Sequence, residues 1–226
     1  MTSKAHQDLW ISEFEKRRVL WIHDDNPKRP HALLSTSGKH SDGFFNAEQL
    51  LEDAYYMNML TEMLLNQAEA EGLNLRLVEC VAGPAMGAIT LAHDLSRHIT
   101  LRDVTRPCRN VHAERDTLSG VPVMAFKRRP VKEGEYVLIV EDVITSGGSV
   151  SVMTDAISRA GAHSAPFVLS LLNRSPFSEI AEKRIISLVD YHLPTWEPDD
   201  CPLCKKGSEA IWPKGVGNWA KLNAVY

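Results

Sequence analysis

The chain lacks any apolar run near the roughly 18 residues needed to span a bilayer. Its opening residues, MTSKAHQDLW, lack the apolar core of a secretory signal. A cytoplasmic location is therefore expected, and there the four cysteines, Cys80, Cys108, Cys201 and Cys204, stay reduced thiols. An excess of positive charge is missing too. The 29 acidic residues outnumber the 25 basic ones, for a formal net charge of −4, which argues against non-specific binding to nucleic acid. Internal repeats and low-complexity linkers are absent. So are the Lys-bearing glycine loop of a P-loop and the G-x-G-x-x-G of a dinucleotide fold. What is left is a 226-residue chain of ordinary composition, long enough for one sizeable core.

The most informative stretch is YVLIVEDVITSGGS, residues 136–149. Tyr136 to Val140 is an unbroken apolar run, as expected of a strand covered on both faces. Glu141 and Asp142 follow at once, and carboxylates do not remain in an apolar core without partners. They mark the carboxyl end of the strand, where open α/β sheets bind ligands. Thr145, Ser146, Gly147, Gly148 and Ser149 then lead into a helical pattern of Val150, Met153, Ile157 and Ala160. A small-residue turn opening a helix presents backbone N–H groups at the positive end of the helix dipole, which makes an anion site. Acids beside a phosphate cradle fit a ligand with vicinal hydroxyls and a phosphate, such as a ribose 5-phosphate. The plain alternative is a solvated acidic corner on an ordinary strand-turn-helix.

Periodicity along the rest of the chain predicts alternating helices and strands. Leu9, Trp10 and Phe14 predict a first amphipathic helix, and residues 24–31, DDNPKRPH, a polar break. One long helix is expected from Ala47 to Glu71, with Leu50, Leu51, Ala54, Met57, Leu64, Leu65 and Ala68 inward and Gly72 as its stop. Leu75 to Ala82 reads as a buried strand, Gly83 to Gly87 as a tight loop, and Ile89 to His98 as the next helix. Further strands are expected at Val121 to Phe126, Pro166 to Leu172 and Ile185 to Val189. The implied fold is α/β, a mostly parallel open sheet with helices on both faces. It forms a single domain over 1–226, with a core near 72–193, an N-terminal hood over 1–71 and a C-terminal extension over 194–226.

The acid pair and Thr/Ser-Gly loop resemble the phosphoribosyl-pyrophosphate (PRPP) motif of the type I phosphoribosyltransferases. In that family the acids hold the ribose hydroxyls and the loop holds the 5-phosphate. The resemblance implies that Glu141, Asp142, Thr145, Ser146, Gly147, Gly148 and Ser149 bind PRPP. It also gives the glycine loop Ala82, Gly83, Pro84, Ala85, Met86 and Gly87 a role beside pyrophosphate, where glycine would otherwise serve only a steric turn.

The order in TSGKHSDGFFN, residues 36–46, narrows the resemblance to orotate phosphoribosyltransferases, whose aromatic pair flanks the pyrimidine. It implies that Lys39, Phe44, Phe45, Arg174 and Thr145 meet orotate. Thr36 departs from the Lys often found there, and a plain hairpin with two core aromatics is the alternative. Ala113, Glu114 and Arg115 look like the Ala-Glu-Lys segment of a bacterial branch, with Arg in place of Lys, and Arg128 and Arg129 like its basic pair. Asn173-Arg174-Ser175 matches the family's Asp-Arg-Ser. The resemblance thus implies catalytic roles for Asp142, Glu141 and Arg115, PRPP contacts from Arg128 and Arg129, Mg²⁺ carried in with PRPP, and a homodimer sharing its active sites. Nucleic acid and membrane are not expected partners.

The segment from Glu114 to Gly120 has no apolar periodicity and is expected to be a mobile loop. Cys201-Pro202-Leu203-Cys204 resembles a tail segment of the same bacterial branch. A lone CxxC lacks the second ligand pair of a structural zinc site. His192 is at best a weak third ligand, so no protein-held metal is expected. The resemblance covers roughly Leu33 to Gly207. A purine phosphoribosyltransferase and a non-catalytic PRPP-binding regulator remain the alternatives.

Overall fold

The computed structural model describes residues 4–35 and 37–226, and side chains from Gln7 onward. Thr36, where the sequence departs from the family pattern, lies outside the described residues. The chain opens with helix α1 (Lys4–Lys16) and strands β1 (Leu20–Ile22), β2 (His31–Leu33), β3 (His40–Ser41) and β4 (Gly43–Phe45). Then come α2 (Glu48–Leu51), α3 (Ala54–Ala70), β5 (Cys80–Pro84), α4 (Ile89–Arg102), β6 (Arg109–Leu118), β7 (Val121–Ala125) and β8 (Tyr136–Ile144). They are followed by α5 (Gly148–Arg159), β9 (His163–Asn173), β10 (Glu179–Ile180) and β11 (Lys183–Asp190). The chain ends with β12 (Thr195–Trp196), α6 (Pro202–Lys205), β13 (Ala210–Ile211) and α7 (Asn218–Leu222). Two compact units result: a larger one built on Ala47–Tyr191 and a smaller one on Asp8–Asn46 and His192–Tyr226.

The larger unit carries a seven-stranded sheet in the order β10-β11-β9-β8-β5-β6-β7. Its five central strands are parallel, and the two edge strands are antiparallel to their neighbours. This is the mostly parallel α/β sheet that the alternating pattern predicts. Helix α5 buries Val150, Met153, Ala156 and Ile157 against Cys80, Ala82, Val137, Ile139 and Val168. Helix α3 turns in Met57, Leu60, Leu64, Leu65 and Ala68. Each such Val, Ile, Leu or Met side chain contributes about 1.5–3 kcal/mol when fully buried.

The predicted single helix over 47–71 is two helices. Asp53 leaves the helical region (φ −94°, ψ 96°), and its carboxylate accepts the Tyr56 N–H, so it caps α3 instead of continuing α2. Ala54 is exposed as a result. The predicted strand from Leu75 begins as a turn of 3-10 helix over Leu75–Leu77 and becomes a strand only at Cys80. Leu9, expected on the inner face of α1, is exposed, whereas Trp10 and Phe14 are buried.

The mobile loop expected at 114–120 is instead the outer part of a β-hairpin. Strands β6 and β7 pair antiparallel from Glu114↔Ala125 to Leu118↔Val121. They turn over Ser119 (φ 51°) and Gly120 (φ 82°), the double left-handed geometry that suits a two-residue hairpin. Its sequence shows no alternation because the outer ribbon has no buried face: Arg115 to Pro122 are all exposed.

The smaller unit has a two-stranded sheet β1-β4 and a four-stranded sheet β12-β3-β2-β13. Trp21, Ala32, Ile211 and Leu222 form a buried cluster with Phe44 and Trp219 packed against it.

Candidate active site and a cysteine-histidine cluster

Strands β9, β8, β5 and β6 run parallel, so their carboxyl ends share one edge of the sheet. The chain adds β6 on one side of β5 and later places β8 on the other. The crevice between β5 and β8 is therefore the switch point at which open α/β sheets receive ligands. Both glycine loops leave from there.

Strand β8 runs further than its apolar stretch, through Glu141 and Asp142 to Ile144. Pairing to β9 at Glu141↔Ser170 and Val143↔Leu172 holds the acids on a rigid element. The next turn places Gly147 at φ 77° as N-cap of α5 with no side-chain cap hydrogen bond. A Cβ at Gly147 would strike the Ile180 side chain. The first turn of a helix leaves N–H groups with no intrahelical partner, and the exposed Thr145 and Ser146 hydroxyls stand beside them. This cradle suits a phosphate.

The two motifs meet at Gly87. A Cβ built there would lie 2.5 Å from Asp142 Oδ2 and 2.9 Å from Oδ1. The Asp142 carboxylate thus rests on the bare backbone of the β5–α4 loop. Gly83 is closed off in the same way, by Ala88 Cβ at 2.7 Å. Ala85 N–H donates to Ala113 C=O at 2.8 Å, tying the loop to β6. The strand β5 itself takes in Gly83 and Pro84, so the turn comprises Ala85 to Gly87, with Met86 exposed.

Glu141 Oε2 is buried without a hydrogen-bond partner. Burial first, and the neighbouring Asp142 second, push the Glu141 carboxyl well above the usual carboxylate range, while the Arg115 charge on the hairpin pulls the other way. Of the basic residues, Arg128 Nε pairs with Glu114 Oε1 at 3.2 Å, and Lys127 Nζ with Asp116 Oδ2 at 3.3 Å. Arg129 is exposed. Arg174 is buried at the end of β9, and its N–H donates to Ile144 C=O at 3.0 Å, next to the Thr145–Ser149 turn. Asn173 shapes this corner. Its Oδ1 accepts from Ser175 N–H and Oγ, and its Nδ2 donates to Asp190 Oδ1.

Lys39, Phe44 and Phe45 belong to the smaller unit. Lys39 Nζ pairs with Glu197 Oε1 at 3.0 Å. Phe45 is buried edge-on against Phe14, with ring centroids 5.2 Å apart, and half-buried Phe44 meets Trp219 at 5.9 Å.

The same unit gathers four residues that the sequence does not connect. His31 Nε2 lies 3.1 Å from His40 Nδ1 and 3.5 Å from both Cys201 Sγ and Cys204 Sγ, and Cys204 Sγ is 3.2 Å from His40 Nδ1. The CxxC is therefore not alone. The two histidines come from the β2–β3 hairpin, and His192 is not in the group. His31 is pulled down to about 4, by burial first and then by His40. Cys80 and Cys108 are separate buried thiols, each pushed up to about 12 mainly by burial.

The chain belongs to the phosphoribosyl transferase family. The phosphoribosyl transferase domain model matches residues 58–193. Among curated relatives, the orotate phosphoribosyltransferase of Thermotoga maritima is 36% identical over 188 residues, covering 83% of this chain and 91% of its own. That of Desulforamulus reducens is 34% identical over 178 residues, covering 79% and 85%. The crystal structure of orotate phosphoribosyltransferase from Aeropyrum pernix shares the fold at a TM-score of 0.57 and 20% identity, covering 79% of this chain and 92% of that one. Among the described residues no helix is long and apolar enough to cross a membrane.

Proposed function

We propose that the protein transfers the 5-phosphoribosyl group of PRPP to a ring nitrogen of orotate, releasing pyrophosphate and forming orotidine 5′-monophosphate. The observation that carries this reading is the seat of Asp142 on Gly87. It brings together at one crevice the carboxylate proposed to hold the ribose and the loop proposed to hold pyrophosphate, and the curated relatives carry the orotate name.

The reaction breaks the anomeric C–O bond with oxocarbenium-like charge development, so rate comes from stabilising the departing pyrophosphate and positioning the acceptor. Asp142 and Glu141 accept the ribose 2- and 3-hydroxyls, and the unpartnered Glu141 Oε2 is an acceptor in want of such a donor. Thr145 to Ser149 hold the 5-phosphate, and Ala82 to Gly87 lie along the pyrophosphate. PRPP enters as its Mg²⁺ complex, for which carboxylate oxygens are the right kind of donor. Arg174 offers a planar fork to the orotate carboxylate. From the smaller unit, half-buried Phe44 and Lys39 are the proposed contacts to the base, while Phe45 packs inward against Phe14. Arg115, Arg128 and Arg129 neutralise the leaving group, Arg115 from the hairpin of a second subunit in a homodimer. The Cys-Pro-Leu-Cys tail supports the further proposal that the chain belongs to a bacterial branch of these enzymes.

The test is direct. Protein, PRPP and Mg²⁺ are mixed with orotate, or separately with each purine base, and base consumption and pyrophosphate release are followed. Orotate-dependent release supports the proposal. Release with a purine base alone replaces it, and PRPP binding without turnover on any base makes the protein a sensor.

A further inference from the structure

We propose that His31, His40, Cys201 and Cys204 bind one zinc ion in a closed tetrahedral site. The site would fasten the two chain segments of the smaller unit, Asp8–Asn46 and His192–Tyr226, to each other. All four donor atoms lie within 4.8 Å of one another. A tetrahedral Zn²⁺ with ordinary Zn–N and Zn–S bonds sets its ligand atoms about 3.3 Å (N···N) and about 3.6 Å (N···S) apart. The observed 3.1 Å between the imidazole nitrogens and 3.2–3.5 Å between nitrogen and sulfur match that geometry.

The chain prepares each donor. Ala32↔Ser41 and Leu33↔His40 pairing puts His31 and His40 diagonally on one face of the β2–β3 hairpin. Cys201 caps α6 and Cys204 lies one turn on, so both sulfurs face the same point.

A hydrogen-bond chain fixes the tautomer. Ser208 Oγ donates its only proton to Arg29 C=O at 2.6 Å, so at 2.8 Å from His31 Nδ1 it must accept. Nδ1 therefore carries the proton, and the bare Nε2 is the atom aimed into the cluster. This outer hydrogen bond is the usual support of a metal-bound histidine. Two sulfurs and two imidazoles with no oxygen donor favour zinc over magnesium or calcium. On binding, two thiol protons leave to solvent, and the two thiolate charges balance the dication. The unit gains from such a staple, because its buried cluster is small.

The test uses the full chain without a polyhistidine tag. Untagged protein should contain about one zinc per chain by elemental analysis. The cobalt-substituted protein should show thiolate-to-metal charge transfer and tetrahedral ligand-field bands. Cys204→Ser and His40→Asn should lose the metal to a competing chelator. Ser208→Ala, which touches no ligand position, should weaken zinc retention by about 10–100-fold, the usual effect of losing such a support. If a ligand variant fails to fold, the cobalt spectrum of the unaltered chain still decides. The site is refuted if reduced, folded protein holds no zinc and gives no sulfur-to-cobalt band. It is equally refuted if Cys204→Ser keeps the parent spectrum, or if mass spectrometry of cytosolic protein finds Cys201 and Cys204 joined as a disulfide.

Discussion

Gly87→Ala asks whether the contact between the two glycine-loop motifs governs activity. The new methyl would sit 2.5 Å from Asp142 Oδ2 and 2.8 Å from Cγ, about 1 Å inside ordinary contact. The backbone at Asp142 is held by the pairing of β8, so the methyl can be relieved only by turning the carboxylate away from the proposed ribose site. A displacement of about 1 Å at a positioning group typically costs about 10²-fold in turnover. The overpacking itself costs about 1–3 kcal/mol of stability. The measurements are steady-state kinetics with PRPP and orotate, calorimetric PRPP affinity, and thermal unfolding. The expected variant folds at a lowered melting temperature, binds PRPP more weakly and turns over about 10²-fold slower. Turnover and PRPP affinity both within twofold of the parent would show that the seat of Asp142 on Gly87 is incidental to the site.

Four further outcomes are expected. Asp142→Asn should weaken PRPP binding by about 1.5–3 kcal/mol, the scale of a hydrogen bond to a charged group; a folded variant with unchanged affinity removes Asp142 from the site. Glu141 holds its proton to higher pH when folded than unfolded. Its contribution is thus fully present below the ordinary carboxylate value and is lost as pH rises through the raised one, by up to about 1.4 kcal/mol per pH unit. Glu141→Gln should then gain on the parent in urea midpoint as pH rises, and parallel profiles would contradict this. Arg174→Ala should impair orotate binding and spare PRPP in calorimetric titrations, whereas equal losses would make Arg174 structural or part of the phosphate site. Arg115→Ala should cut turnover far more than PRPP affinity. Mixed dimers with Asp142→Asn chains should regain activity, and verified heterodimers without recovery would place Arg115 in its own chain's site or in none.

The sheet was legible because its signals are local. A both-face-buried strand must be apolar throughout, and Tyr136 to Val140 is. The glycine turn before α5 was legible for the same reason, since Gly147 takes a left-handed φ and sits where the Ile180 side chain leaves no room for a Cβ. Asp53 was hidden because a single capping carboxylate interrupts a periodicity that otherwise continues from Leu50 to Ala68. Strand β7 was legible at Val121 to Phe126, but β6 and its pairing were hidden because no core side alternates along the outer half of the ribbon. The contact of Gly87 with Asp142 joins two separate motifs, and only parallel pairing through β5 and β8 brings them together. His31 and His40 pose the same problem over a longer distance: each is an unremarked hairpin residue until the chain returns with Cys201. The one local hint was two histidines flanking a Ser-Gly turn.

The β6–β7 ribbon changes what it would cost to cover a bound substrate. A disordered segment brought to order loses about 1–2 kcal/mol of backbone freedom per residue, on the order of 10 kcal/mol for a stretch of this size. Arg115 to Pro122 have already met most of that cost in their own ladder of strand pairs, at the moment the chain folds. Their inner ends are anchored where Val111, Ala113 and Met124 enter the main core. Such an arm has only a few dihedral angles to settle at its base, so nearly all the attraction its side chains find in a ligand remains as affinity.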